Sequence, residues 1–183
     1  MGRMSDGQFD ATDVRRMLGR MAHQVLEANR GAAGLVVVGI LTRGFPVAKR
    51  LAFAMTQIEG TTVPCGSLDI TAHRDDAEVA VDYADKSEIP FAITGRTVIL
   101  VDEVIQTGRT VRAALDALMR HGRPGEVKLA ALIDRGGREL PIQPDFVGRI
   151  VEVGADEYVD VRISDGAGED TVAIVKGAMP CTS

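Results

Sequence analysis

The sequence predicts an α/β fold with a central parallel sheet flanked by helices. Three observations lead there. Short Val-rich apolar runs alternate with longer stretches of helical period, and that alternation is the signature of a parallel sheet covered by helices. The runs Leu35–Ile40 and Thr97–Val101 are apolar without a break, as strands buried on both faces are. The length, 183 residues, suits one domain.

Residues 10–30 read as the first helix. Val14, Met17, Leu18, Met21, Val25 and Leu26 form one apolar stripe, Asp10 or Thr12 caps the start, and Gly31 stands where a helix stops. Leu35–Ile40 reads as a buried strand. A second helix is expected over 46–59, with Pro46 at a first-turn position, where an amide has no helical partner, and Gly60 closing it. A strand follows over 63–70. From Thr71 to Gly95 the chain is rich in acids and poor in large apolar residues, with no clear period. It reads as a long loop or two-stranded flap, and loops of that length usually serve a function or are disordered. Thr97–Val101 is the clearest strand and 107–121 the clearest helix, with Val111, Ala114, Leu115, Leu118 and Met119 on one face. A strand over 127–133 comes next. Beyond Asp134 the pattern breaks into short strands and turns, 158–163 and 171–175 being the best strands. No internal repeat and no low-complexity tract interrupts this order.

Composition excludes several classes. With 45% hydrophobic and 26% charged residues the chain is too apolar for a disordered protein. No apolar run approaches the roughly 20 residues of a membrane span, and Met1–Asp13 lacks the apolar core of a signal peptide. Cys65 and Cys181 do not make a disulfide framework and fit a reducing cytoplasm. The three histidines, His23, His73 and His121, lack metal-ligand spacing. The net charge of −5 argues mildly against nucleic-acid binding, but it is uneven: +4 over residues 1–50, −5 over 51–100, +1 over 101–150 and −5 over 151–183. The local field decides which ligands approach a site.

The segment 98–110, VILVDEVIQTGRT, carries the chemistry. A buried strand runs into adjacent carboxylates, Asp102 and Glu103, and the turn Thr107-Gly108-Arg109-Thr110 opens a helix. Ligands of open α/β sheets bind beyond the carboxyl ends of the strands. A helix N-terminus with free amides and two hydroxyls suits an anion, and Gly108 lets the backbone approach it. Carboxylates repel phosphate but accept hydrogen bonds from a sugar diol, so a ribose 5-phosphate satisfies both halves. A solvated βα turn with an ordinary helix start is the plainer alternative. The nucleoside-triphosphate motif GxxxxGK[ST] and the dinucleotide motif GxGxxG are both absent. A second loop of the same kind, Thr42-Arg43-Gly44, follows the first long strand, where arginine and backbone amides suit another anion.

Segment 98–110 resembles the phosphoribosyl diphosphate signature of type I phosphoribosyltransferases. More narrowly, residues 12–149 resemble the PyrR family of bifunctional pyrimidine operon regulators and uracil phosphoribosyltransferases. The resemblance rests on MAHQVLE (21–27), GILTRGFPVAKRLA (39–52), LDITAHRDD (68–76), IPFAITGRTVILVDEVIQTGRTVRAALDAL (89–118) and LIDRGGRELPIQPDFVGR (132–149). The run Asp134–Ile142 is its most specific part.

The resemblance implies a single type I phosphoribosyltransferase domain over 1–183, with a mobile flap at about 71–95 and a hood at about 134–183. It implies a pentosyltransferase that makes UMP and diphosphate from uracil and phosphoribosyl diphosphate. Asp102 and Glu103 would hold the ribose hydroxyls, Thr107 to Thr110 the 5-phosphate, and Thr42, Arg43 and Gly44 the diphosphate, with Val104 and Gln106 lining the donor site. Arg74 on the flap would close on the diphosphate, the catalytic set being Asp102, Glu103, Arg43 and Arg74. Mg²⁺ would arrive with the donor, held by substrate oxygens rather than directly by protein. The base would sit near Ile133, Asp134, Arg135 and Gly136. Purine transferases of this fold usually carry Asp where Gln106 stands, and glutamine cannot act as a general acid or base, which disfavours a purine.

The family also binds a pyrimidine-operon mRNA leader when UMP is bound. The counterpart residues here are Arg16, Arg20, His23, Arg138 and Arg149; the first three are spaced to share one helix face. Two departures bear on that role: Gln143 replaces a usually basic residue, and RIVEVGADEYVD follows Gly148 in place of a lysine-containing run. On the flap, His73 stands where relatives often have tyrosine, which bears on flap closure rather than on RNA. The resemblance further implies a cytoplasmic homodimer or higher homo-oligomer with no membrane association. A transferase without RNA regulation, or one with another nucleobase acceptor, is the alternative.

Overall fold

The computed structural model describes residues 8–76, 82–164 and 169–177. In chain order the elements are β1 (Gln8–Phe9), α1 (Ala11–Asn29), β2 (Leu35–Ile40), α2 (Gly44–Glu59), β3 (Cys65–Leu68), a 3₁₀ turn (Thr71–His73), β4 (Thr97–Ile105), α3 (Arg109–Leu118), β5 (Glu126–Asp134), β6 (Phe146–Ile150), β7 (Glu157–Arg162) and β8 (Thr171–Lys176). Five strands make a parallel sheet in the order β3-β2-β4-β5-β6. A small antiparallel sheet, β1-β8-β7, is separate in its strand pairing and shares the core of the central sheet through Val159, Val161 and Val172.

The period-two geometry of a strand divides the core. Leu35, Val37, Ile99, Val101 and Leu132 face α1 and α2, where they meet Met21, Leu51 and Met55. Val36, Val38, Val98 and Leu100 face the other way, onto Val111, Ala114 and Leu118 of α3. This is why β2 and β4 are apolar at successive positions. α1 starts where expected: Asp10 accepts hydrogen bonds from the amides of Thr12 (2.8 Å) and Asp13 (2.9 Å), and the Asp13 carboxylate accepts the Asp10 amide in return. Among the described residues no helix is long and apolar enough to cross a membrane.

Several boundaries differ from the sequence reading: β3 is Cys65–Leu68 rather than 63–70, and the helix expected over 107–121 is α3 (Arg109–Leu118) followed by a 3₁₀ turn over Met119–His121. α2 begins at Gly44, two residues before Pro46, because first-turn positions need no helical donor. β4 runs to Ile105, so Asp102 and Glu103 lie inside a paired strand, opposite β5. β6 is a strand that periodicity does not signal. Its Gly148 interrupts the apolar pattern, and an added Cβ there would run into the Leu132 carbonyl, so close passage of β5 requires glycine. The hood region is accordingly divided: β6 belongs to the central sheet, while β7 and β8 take their third strand from Gln8–Phe9. Of the flap, 77–81 lies outside the described residues. Its described return pairs Glu88 with Ser67 on β3.

Candidate active site

The sheet order creates the site. β2 and β4 are neighbours, yet the chain leaves β2 for β3 on one side and leaves β4 for β5 on the other. Loops at such a switch point diverge and open a crevice beyond the strand ends. The loops that flank it are 41–43 and 106–108. The Leu41–Thr42 peptide is cis. Thr42 is exposed, Arg43 half-buried and Gly44 buried. Gly44 starts α2 hard against β4: a Cβ on it would lie 2.7 Å from the Val101 carbonyl and 3.2 Å from Asp102 Oδ1. Only glycine lets the two loops come this close.

Asp102 is 4% exposed and Glu103 half-buried. Asp102 Oδ1 accepts the Glu103 amide at 3.0 Å. Burial, then the adjacent Glu103 carboxylate, pushes the Asp102 acid well above the ordinary carboxyl range, against a smaller pull from Arg74. A buried acid at this strand end is suited to hydrogen-bonding hydroxyls rather than to binding a bare anion. Val104 and Thr107 are half-buried and Gln106 is exposed.

The turn into α3 is glycine-dependent, since Gly108 has φ +91° and caps the helix without a side-chain bond. Thr107 Oγ1 accepts the Arg109 amide at 3.2 Å, and Thr110 is half-buried in the first helical turn. The Arg109 side chain turns away from this turn. Its Nε donates to Glu139 (2.7 Å) and its Nη1 to Asp75 (2.8 Å).

The residues expected to face the base are placed by strand register. Val104 pairs with Ile133 and Ile105 with Asp134, which sets the end of β5 level with the end of β4. Ile133 is buried, and the Gly136 amide donates to Asp134 Oδ1 at 2.9 Å. Arg135 donates to the Glu157 carbonyl of β7 at 3.1 Å. Arg138 departs from expectation. Its side chain is 13% exposed, and the guanidinium donates to Asp134 (2.7 Å), the Gln106 carbonyl (2.9 Å) and the Ile142 carbonyl (2.9 Å). It is committed inside the molecule, clamping the loop after β5 to the turn after β4.

Two carboxylates not singled out from sequence organise the surroundings. Asp69 joins the two sides of the segment expected to form a flap, accepting the Thr71 amide (3.0 Å) and hydroxyl (2.7 Å) and the Lys86 amide (3.2 Å). Burial opposes its charge, but the nearby Tyr83 hydroxyl and the hydrogen bonds from Thr71 and Lys86 outweigh that and lower its pKa. The Asp-x-Thr spacing is an Asx-turn signal that could have revealed it. Asp160 of β7 lies 3.6 Å from Arg43 and 2.8 Å from Arg162, bringing the small sheet onto the Arg43 loop. No local pattern announces that pairing. Arg74 makes a two-point bond to Asp76 (2.6 and 2.8 Å). Among the described residues no cluster of three or more His, Cys, Asp and Glu side chains comes together to hold a metal.

A separate basic face lies on α1 and β6. Arg16 has a 77% exposed side chain near Asp13. Arg20 donates to the Gly148 carbonyl, His23 bonds the Gly19 carbonyl at 2.8 Å, and Arg149 lies over the Phe9 ring at 5.7 Å. Four of the five expected RNA-facing residues therefore gather here, and Arg138 does not.

Known proteins place this architecture. The phosphoribosyl transferase domain model matches residues 10–160. "Bifunctional protein PyrR 1" of Lactiplantibacillus plantarum is 51% identical over 172 residues, covering 91% of this chain and 95% of that one. "Bifunctional protein PyrR" of Geobacter sp. strain M21 is 52% identical over 170 residues, covering 92% and 96%. Among solved structures, the hypoxanthine phosphoribosyltransferase of Trypanosoma cruzi superposes with a TM-score of 0.70 at 17% identity, covering 95% of this chain and 98% of that one; at that identity the likeness concerns the fold. The chain belongs to the phosphoribosyl transferase domain family and, within it, to the bifunctional PyrR proteins.

Proposed function

We propose that the protein transfers ribose 5-phosphate from phosphoribosyl diphosphate to N1 of uracil, and that UMP binding licenses it to bind a pyrimidine-operon mRNA leader. The observation that carries the first part is the pairing of buried Asp102 with the glycine-dependent TGRT turn at the sheet's switch point. In this reading Asp102 and Glu103 hold the ribose hydroxyls. Thr107, Gly108 and Thr110 take the 5-phosphate at the start of α3. Thr42, Arg43 and Gly44 take the diphosphate. The C1–oxygen bond to diphosphate breaks as the C1–N1 bond to uracil forms, and the N1 proton leaves with the diphosphate. Catalysis is positioning and stabilisation of the leaving group. Arg74 would serve the second purpose by exchanging Asp76 for diphosphate as the flap closes and excludes water.

Asp102 and Glu103 are oxygen donors of the kind Mg²⁺ accepts, and too few to cage it, which fits an ion held largely by the donor's own oxygens. The ion supplies neutralisation of the departing diphosphate charge. The base lies against 133–136, and exposed Gln106 offers no acid or base to a purine ring.

The test is incubation with phosphoribosyl diphosphate, Mg²⁺ and a panel of uracil, orotate, hypoxanthine and guanine. UMP from uracil alone supports the reading; product from a purine, or none above a boiled control, overturns it. For the regulatory part, Arg16, Arg20, His23 and Arg149 supply the phosphate-contacting face. A gel shift on the leader should strengthen with UMP and weaken steeply with salt. No shift at low salt would leave a transferase without RNA regulation. The reading also places the protein in the cytoplasm as a homodimer or higher homo-oligomer, which sedimentation tests.

A further inference from the structure

Arg109 stands in the TGRT turn, where sequence assigns it to the 5-phosphate, yet two of its three guanidinium nitrogens are given to carboxylates on different segments. One is Asp75, on the flap side. The other is Glu139, on the base-side loop. Both segments are independently held at the positions where Arg109 reaches them. On the flap side, His73 Nδ1 lies 2.6 Å from Asp116 Oδ2, and Arg112 Nη2 donates to the His73 carbonyl at 2.6 Å. Arg109, Arg112 and Asp116 fall on one face of α3, and that face receives the flap root. On the base side, the amides of Glu139 and Leu140 both donate to the Thr107 carbonyl at 3.0 Å. The phosphate turn thus hangs from the base-side loop, and Arg109 reaches from that turn to the flap.

We propose that Arg109 is a positioning residue rather than a phosphate ligand: it straps the flap root to the base-side loop across the phosphate turn, so that the closed donor site and the acceptor loop are assembled together. This deepens the reading of the donor site above and rests on it. The 5-phosphate is left to the amides and the Thr107 and Thr110 hydroxyls, groups that need no side-chain cation.

The strap and a ligand role predict opposite signs. If Arg109 bound phosphate, Asp75 and Glu139 would compete for it, and neutralising either would improve phosphate binding. If it is a strap, losing any of the three groups loosens the same assembly. Calorimetric titration with ribose 5-phosphate, and separately with phosphoribosyl diphosphate plus Mg²⁺, distinguishes them in the full-length protein. The variants are Arg109→Gln, Arg109→Lys, Asp75→Asn, Glu139→Gln and the double Arg109→Gln/Glu139→Gln.

The strap predicts ribose 5-phosphate affinity within about twofold of wild type throughout, and phosphoribosyl diphosphate affinity lowered about two- to fivefold by each single change, the scale of exposed ion pairs. The double variant should fall no further than the weaker single one, because both remove one interaction. A lysine ammonium lacks the planar fork that spans two carboxylates, so Arg109→Lys should resemble Arg109→Gln. A tenfold loss of ribose 5-phosphate affinity in Arg109→Gln, restored by lysine, or a gain in Glu139→Gln or Asp75→Asn, overturns the proposal. These titrations need no acceptor. Failure of wild type to make UMP would sink the uracil assignment and leave the comparison readable; failure of wild type to bind ribose 5-phosphate would sink both.

Discussion

Replacing Gly44 with alanine should separate the two loops that make the crevice. The added Cβ would lie 2.7 Å from the Val101 carbonyl, about 0.7 Å short of the 3.4 Å at which ordinary van der Waals contact begins, with Asp102 Cα at 3.1 Å. Both obstacles are backbone of β4, which is paired on both sides by β2 and β5 and cannot yield easily. Overpacking of this kind costs about 1–3 kcal/mol. For a chain of this size each kcal/mol lowers Tm by roughly 2–4 °C, so a fall of about 2–12 °C is expected. The displaced loop carries Arg43 and borders Asp102, and a shift on the order of 1 Å between reacting groups costs about 10²-fold in rate. Gly19→Ala is the control: nothing lies within 4 Å of its Cβ position and it sits inside α1. It should stabilise by about 0.5–1 kcal/mol through helix propensity alone. Calorimetric Tm and the rate of UMP formation are measured for both. A Gly44→Ala protein with Tm within 1 °C of wild type and full activity would refute the close-approach argument.

Asp102→Asn should cut activity severely, by about 10²–10³-fold, as loss of an aimed polar group at a reaction centre does. It should also raise Tm at pH 8. Because the folded Asp102 carboxyl titrates above its ordinary 3.8, the folded state binds more protons than the unfolded between those values, and wild-type stability falls as pH rises across that window. The stability gain over wild type should shrink toward pH 4, and an equal Tm at pH 8 would contradict the burial account. Arg138→Met strips a partner from a pair whose side chains are both 13% exposed; a loss of about 3–5 kcal/mol is expected, and denaturant unfolding reads it. Arg16→Ala should leave stability within about 0.5 kcal/mol while lowering RNA affinity and flattening its salt dependence by about one unit of slope; an unchanged slope removes Arg16 from the RNA face. The Cys65 thiol, pushed up to about 11 by burial, should resist iodoacetamide at pH 7.5, as peptide mass mapping would show.

Residues close in sequence made much of this site legible. Asp102, Glu103 and the TGRT turn fall within one strand–turn–helix unit, so their chemistry and local geometry could be read together. The apolar runs of β2 and β4 identify strands buried on both faces, and the stripes of α1 and α3 identify their packing faces. Arg16, Arg20 and His23 share a helix face by spacing alone. β6 escaped because its Gly148 breaks the run, and β1 because two residues carry no period.

The strand order was not readable in this way, although it opens the crevice between the loops after β2 and β4. Nor was the destination of the long charged side chains. Arg138 and Arg109 look like surface cations in sequence, since arginine in a loop next to a phosphate motif suggests an anion. In the fold Arg138 is spent on Asp134 and two carbonyls, and Arg109 on Asp75 and Glu139, residues 34 and 30 positions away. A guanidinium reaches whichever acceptors the packed chain brings within its length. Sequence therefore determined which segments are strand, helix and anion-suited turn, through local period and local turn chemistry. Tertiary structure decided which charges meet, because that depends on strand order and on segments distant in the chain coming to the same sheet edge.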